Sequence, residues 1–349
     1  MSKTLIVAAG KTAEGEGCLQ PVLQLEQKLK QIGLPPRELV IEPLSTGWHA
    51  PRQEDHFRSG CAPIEALAKA KALIEAGTAA VVIRGEDNLK TGYSREQRHQ
   101  LMAIYGDEYP ITQAYDDLAH EFARRQGIDA DTFRELCQQL YSNYECSYRN
   151  VMRQPVTQDE RWFQPLTSLF RGVDCANPLV DFHGRLLLCS QETAQLLDIP
   201  ATEVVEVKGV GLGFLEQDGP QQLRQIADYE HLGQAWQQAD QQAGGYFKQK
   251  FSERKALLES YTCYPVVPMA LMLKSGLVSG PEQLAEFVAR YPLTVTGGMN
   301  LAKGPWNNPA LNGLISMYQA LLQSDASLGA VHGNGGLGYR QGVAMLATE

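Results

Sequence analysis

One local pattern occurs twice in this sequence, far apart, and it narrows the folds available. Pro63 opens a segment with Ile64, Leu67, Ala70 and Ile74 at three- and four-residue steps, closed by Gly77 and followed by the apolar run Ala79–Ile83. This spacing puts one apolar stripe on a helix over Pro63–Ala76, then a buried strand. Near the C-terminus the order recurs as a helix-like Pro309–Gln323, an apolar run Leu328–Val331, a glycine loop and a strand-like Gly342–Ala347. Thr4–Ala9 and Leu39–Ile41 read as further strands, and amphipathic Leu19–Ile32, stopped by Gly33, reads as a helix. Helices alternating with strands predict a duplicated α/β architecture around a mainly parallel sheet covered on both faces.

Between the two copies the character changes. From Tyr93 to Pro155 polar helical segments dominate, Gln113–Gln126 and Asp131–Tyr144 among them, and they read as a helical insertion. Leu186–Leu188 then marks another strand and Leu223–Ala243 another helix. The resulting division is residues 1–92 with 156–215 as one half, 93–155 as the insertion, and 216–349 as the second half. With 349 residues the chain can bury a large core. A net charge of -9 with no basic stripe argues against a nucleic-acid binder. No apolar run approaches the length of a membrane span. The seven cysteines lack paired spacing and the seven histidines lack ligand spacing, which points to a reducing cytoplasm and away from a metal site.

Candidate chemistry gathers in a few places. Cys61 stands just before the first repeated helix, where the partial positive charge of a helix N-terminus favours a thiolate; a packed free cysteine is the plainer use. Cys263 lies between Tyr261 and Tyr264 and suits proton exchange with a substrate, again against a packed alternative. His332 precedes Gly333, Asn334, Gly335 and Gly336, whose backbones can approach a ligand closely. Asn307 and Asn308 open the second repeated helix; capping explains Asn308 more easily than Asn307. Two loops rich in Gly and Asn, Thr294–Pro309 and Val331–Gly336, suit the stabilisation of a developing negative oxygen. Gly209, Gly211 and Gly213 mimic a dinucleotide loop, but no helix follows directly, so they are set aside.

These residues, in this order, resemble the thiolase superfamily, in particular the branch of sterol-carrier-protein-type thiolases and acetyl-CoA acetyltransferase-like proteins. Gly60–Gly85 resembles the family's nucleophile helix and following strand. Tyr261–Tyr264 resembles a His-Asp-Cys-Phe segment, and Gly297–Gly304 the block that ends in Gly-His-Pro. His332–Gly336 resembles the final glycine loop. The resemblance implies a five-layer αβαβα fold with duplicated halves and a helical loop insertion, a homodimer, and a coenzyme A thioester as substrate with no permanently bound cofactor. It also implies roles. Cys263 is the acid/base, His332 and Asn307 polarise the thioester oxygen, and Cys61 is the candidate nucleophile. Asn308, Gly335, Gly298 and Tyr261 lie near the substrate or its oxyanion. Arg95, Arg98, Arg149 and Arg153 are basic candidates for contacts to coenzyme A.

The sequence also departs from the family pattern. Aligning Ala66, Ile74 and Gly77 puts Gly60, not Cys61, at the nucleophile position. Pro305 and Trp306 follow Gly304 where the family has His-Pro, and Tyr261 stands in place of a His or Asn. Three readings follow: an acyl-CoA acyltransferase of lipid metabolism, acting by Claisen condensation or thiolysis; a degenerate homologue that binds acyl-CoA or a partner subunit; and a lyase or hydrolase of coenzyme A esters that forms no acyl-enzyme.

Overall fold

The computed structural model describes residues 3–348; residues 1, 2 and 349, where the expected division begins and ends, lie outside the described residues. The strands are β1 (Thr4–Ala13), β2 (Glu16–Cys18), β3 (Arg37–Ile41), β4 (His56–Phe57), β5 (Ala80–Asn88), β6 (Asp181–Ser190), β7 (Val205–Phe214), β8 (Ala256–Glu259), β9 (Leu328–Gly335) and β10 (Arg340–Ala347). They follow one path, β4-β3-β5-β6-β1-β7-β10-β9-β8, with β2 hairpinned onto β1. Among the described residues only Leu5↔Glu206 and Ile6↔Val205 join β1 to β7, so the path consists of two sheets linked at a narrow seam. The expected mainly parallel sheet is not found: six of the nine strand pairings among the described residues are antiparallel. β6 and β7 are not delivered by helical crossovers. They arrive after the insertion and after a short helix, and so enter against the local strand direction.

The two helices of the repeated unit, Ala62–Glu75 and Pro309–Leu322, touch each other and strands of both sheets, and so form the middle layer. Their apolar residues Ile64, Leu67, Ala70, Ile74, Leu311, Leu314 and Ile315 are buried in one core with Ile6, Val81, Leu186, Val205 and Val331. The outer face of the first sheet is covered by Gln20–Gln31, through Val22 and Leu29. The outer face of the second is covered by Glu230–Gln242. Helix, sheet, helix, sheet, helix gives five layers with duplicated halves.

The glycines set aside as a pseudo-cofactor loop lie inside β7 and have a packing role. A Cβ at Gly209, Gly211 or Gly213 would sit 2.2, 1.8 or 2.0 Å from the carbonyl oxygens of Ala239, Ala235 and His231. Two strand residues advance by about 6.7 Å and four helical residues by about 6 Å. Three alternate glycines therefore form a bare track for one face of Glu230–Gln242. The helix expected over Leu223–Ala243 is interrupted: Leu223–Ile226 ends and Tyr229, at φ 49, restarts the chain in the new direction.

Residues 93–155 hold three helices, Arg95–Met102, Ile111–Gln126 and Ala130–Met152. The last runs two turns beyond the expected end and buries Phe133, Leu136, Leu140 and Tyr144. Among the described residues no helix is long and apolar enough to cross a membrane.

Candidate active site

A cavity of about 270 Å³ opens where the insertion meets the N-terminal ends of the two central helices. The insertion supplies an apolar side through Met102, Ile104, Ile111 and Tyr115, and Met299 and Trp306 close the other. Its polar groups come from Tyr261, Cys263, Asn307 and Asn334. A mostly apolar pocket with a few converging polar groups excludes water and strengthens the electrostatics of those groups.

The floor depends on a register that the sequence reading missed. The expected strand Leu328–Val331 continues through His332, Gly333, Asn334 and Gly335, because each of these pairs with β10. Side chains therefore alternate faces where a loop was expected. Gly333 and Gly342 turn toward the Ala62–Glu75 helix, where a Cβ would lie 3.2 Å from the Cys61 Cα and 2.8 Å from the Cys61 Sγ respectively. His332, Asn334 and Gln341, which is paired with Asn334, occupy the opposite face.

Cys61 is thus separated from His332 by the strands themselves. It is fully buried and lines no part of the cavity. Burial, with Glu65 adjacent, pushes its thiol well above the usual range, the reverse of what a nucleophilic thiolate needs. The residue before it does reach the cavity. A Cβ at Gly60 would lie 2.1 Å from the Tyr261 hydroxyl and 2.2 Å from the Asn334 carbonyl oxygen. The phenol and the strand backbone together fill the space that a side chain at position 60 would occupy.

A chain of hydrogen bonds runs away from Cys263. Its thiol interacts with the Tyr115 hydroxyl, and burial raises it to about 12, so it carries its proton at neutral pH. The Tyr115 hydroxyl donates to the Gly336 carbonyl at 2.7 Å and accepts from Asn334 Nδ2 at 3.0 Å, and its ring stacks on Tyr264 at 4.0 Å. Gln341 Nε2 donates to Asn334 Oδ1 at 2.7 Å and to the Gly338 carbonyl at 2.9 Å. With both amide hydrogens directed there, Gln341 Oε1 faces His332 Nε2 at 2.8 Å, and Nε2 carries the imidazole proton. His332 Nδ1 is left bare, buried and without a partner. His332 itself lines no part of the cavity.

Asn307 lies in the cavity wall but is largely committed to the fold. Its Oδ1 accepts from Ser59 N at 3.1 Å and its Nδ2 donates to the Glu42 carbonyl at 2.8 Å, leaving one amide hydrogen. This clamp holds Ser59 at φ 113, a costly backbone state for a residue with a Cβ. Asn308 does not cap its helix with its side chain. It is fully buried, its amide has no partner, and it points at Gly85, where a Cβ would meet Oδ1 at 1.7 Å. Gly298, at φ 80, packs on Thr262 and Tyr144, and Gly335 packs on Ser59; neither lines the cavity. Arg95, Arg98, Arg149 and Arg153 are also outside its wall, with Arg98 bonded to the Leu89 and Tyr93 carbonyls and Arg149 paired to Glu145. The sequence reading singled out neither Tyr115 nor Gln341, because nothing local marks residues brought in by distant elements.

Three solved structures overlay nearly the whole chain. One is a monomeric SCP2-thiolase like protein type 1 from Mycobacterium smegmatis, with TM-score 0.69, 17% identity, and coverage of 99% of this chain and 78% of that one. The Ltp2-ChsH2(DUF35) aldolase gives 0.67 at 15% identity, covering 99% and 98%. Acat5 thiolase from Ascaris suum, in complex with coenzyme A, gives 0.65 at 15%, covering 99% and 100%. This chain has the thiolase-like fold. No family model matches the sequence, and no curated relative was found by sequence. At position 60, where the resemblance expects a reactive thiol, a tyrosine hydroxyl fills the space.

Two buried groups near this region give opposite pH signatures. Burial lowers His332 from 6.5 to about 4, so its contribution is present above pH 6.5 and is lost as pH falls through 4, by about 3 kcal/mol in full. Burial raises Glu259, which accepts from Val295 N, Thr296 N and the Thr296 hydroxyl, from 4.5 to about 7. It therefore destabilises the fold above pH 7, and that cost is relieved as pH falls toward 4.5. Between pH 4.5 and 6.5 the two oppose each other. Denaturant midpoints of Glu259→Gln should fall more steeply with acid than those of the wild type, and those of His332→Gln should fall less steeply. Parallel curves for all three proteins would refute the assignment.

Proposed function

We propose that the protein acts on a coenzyme A thioester, breaking or making the Cα–Cβ bond of its acyl group without a covalent acyl-enzyme. The observation that carries this reading is the Tyr261 hydroxyl in the space that a side chain at position 60 would need. The groups that carry this chemistry at the cavity are proton-bearing donors: the Tyr261 phenol, the Cys263 thiol and the Asn307 amide. Such groups suit an enolate or oxyanion that develops during reaction.

In the cleavage direction the substrate is a β-hydroxyacyl thioester. The Cα–Cβ electron pair moves into the thioester as an enolate, held by the Tyr261 hydroxyl and the remaining Asn307 amide hydrogen. The Cys263 thiol gives its proton to Cα and recovers one from the β-hydroxyl, while Cβ leaves as a carbonyl. Protons balance on the enzyme and no acceptor thiol is consumed. A high thiol pKa keeps the proton in place until carbanion character develops. Tyr115 and Asn334 orient Cys263, and His332 acts through Gln341 as a positioning residue. A homodimer, and contacts to coenzyme A from the arginines of the insertion, belong to the same proposal.

That similar structures include a protein described as an aldolase and one in complex with coenzyme A supports this choice; those descriptions belong to those proteins. Intact-mass measurement after incubation with acetyl-CoA and acetoacetyl-CoA tests the central point. The mass is expected to stay unchanged in the wild type, while β-hydroxyacyl-CoA is turned over. A stable acyl adduct that disappears in Cys61→Ala or Cys263→Ala would restore acyl transfer as the mechanism.

A further inference from the structure

A second cavity of about 340 Å³ adjoins the first, and its character is the opposite. Its lining is mostly charged or polar, and only Phe57, Trp48 and Tyr339 offer large apolar surface. Four connections make the two cavities neighbours. Trp48 lines both. Gly60 lines the first and Glu65 the second, across the opening turn of one helix. Asn307 in the first holds the backbone of Glu42 in the second. Gly336 in the first is followed by Tyr339 and Arg340 in the second, around the β9–β10 turn.

The charges of the second cavity do not cancel. Glu42 is bonded by Arg58 at 2.7 Å, with His56 Nδ1 at 3.5 Å. Glu65 takes both arms of Arg340, whose guanidinium also lies 4.0 Å over Phe214. Each carboxylate is thus neutralised by its own guanidinium. Arg52 and His49 remain, and among the described residues neither side chain has a hydrogen bond or ion pair. The unmatched charge is the Arg52 guanidinium, beside a wall whose other side holds the thioester under the reading given above.

We propose that the second cavity receives the anionic end of the acyl group, so that the substrate class is a thioester of an acyl chain ending in a carboxylate rather than a plain fatty acyl thioester. Arg52 provides the charge and a bidentate donor pair suited to a carboxylate. Trp48 forms the partition over which the chain passes, on a loop that turns at Gly47 with φ 66. This inference rests on the coenzyme A reading, and it adds the identity of the far end of the substrate.

The test measures binding by calorimetry for butyryl-CoA against succinyl-, glutaryl- and adipyl-CoA, in the wild type and in Arg52→Ala. Arg52 is exposed, so its loss should leave the fold intact. At least one dicarboxylic thioester should bind the wild type about tenfold or more tighter than butyryl-CoA, and Arg52→Ala should remove most of that preference. If butyryl-CoA binds as well as all three, the inference fails while the coenzyme A reading stands. If none of the four binds, the coenzyme A reading itself fails. If Arg52→Ala weakens butyryl-CoA as much as the dicarboxylic thioesters, the cavity holds a phosphate of the carrier instead, and the proposal is overturned.

Discussion

Replacing Cys263 with alanine should lower turnover of a β-hydroxyacyl thioester by roughly 10²- to 10⁴-fold, the usual contribution of a positioned acid/base group. Cys61→Ala should leave turnover within about threefold, because that thiol faces glycines behind the β9–β10 pair. The contrast between the two variants is the diagnostic. Both thiols are buried, both have raised pKa values, and losing either sulfur costs about 1 kcal/mol of packing. A general loss of stability would therefore affect them alike. Steady-state kinetics beside thermal melts would separate the two cases, with Cys263→Ala slow but folded. Equal loss of activity in both variants would contradict the division of the site by the strand faces. So would a larger loss in Cys61→Ala.

Gly211→Ala should destabilise the protein by about 3 kcal/mol or more, although it adds a single methyl group in a strand. The added Cβ would lie 1.8 Å from the Ala235 carbonyl oxygen, and the nearest obstacles are helix backbone, which cannot rotate away as a side chain can. Relief requires the whole Glu230–Gln242 helix to lift from β7 and β10, exposing Leu232, Ala235 and Trp236. Lys208→Ala, three residues earlier on the same strand, removes a half-exposed side chain and should cost no more than about 0.5 kcal/mol. Urea midpoints of the two variants give the comparison. A Gly211→Ala protein as stable as the wild type would show that the helix does not ride on this track.

Much of the fold was legible locally. The Pro63–Ala76 and Pro309–Gln323 expectations agree with the observed Ala62–Glu75 and Pro309–Leu322 to within a residue. Helical periodicity is a property of residues three and four apart, and here the apolar stripe, the opening proline and, for the first helix, the closing glycine agree. The strand Ala79–Ile83 was recognised for similar reasons, although it runs on through Arg84 and Gly85 to Asn88. The order of elements and the recurrence of one unit were enough to suggest duplicated halves.

The candidate site was legible only as a set of residues. Cys263, Tyr261 and Asn307 do share a cavity, yet His332 and Cys61 do not line it. The difference comes from β9: its run of glycines has weak intrinsic strand preference, so the sequence alone suggests a loop. Hydrogen bonding to β10 imposes the strand, and its two-residue alternation sends His332 and Asn334 to one face and leaves Cys61 against Gly333 and Gly342 on the other. Tyr115 arrives from the insertion, more than two hundred residues from the Gly336 carbonyl that it holds. The sequence by itself determined the two central helices, the α/β class and the residue types available for chemistry, because those depend on near neighbours. Tertiary structure alone decided which thiol faces the cavity, which nitrogen of His332 bears the proton, and that a tyrosine hydroxyl fills the space at Gly60, because each depends on how distant strands pair.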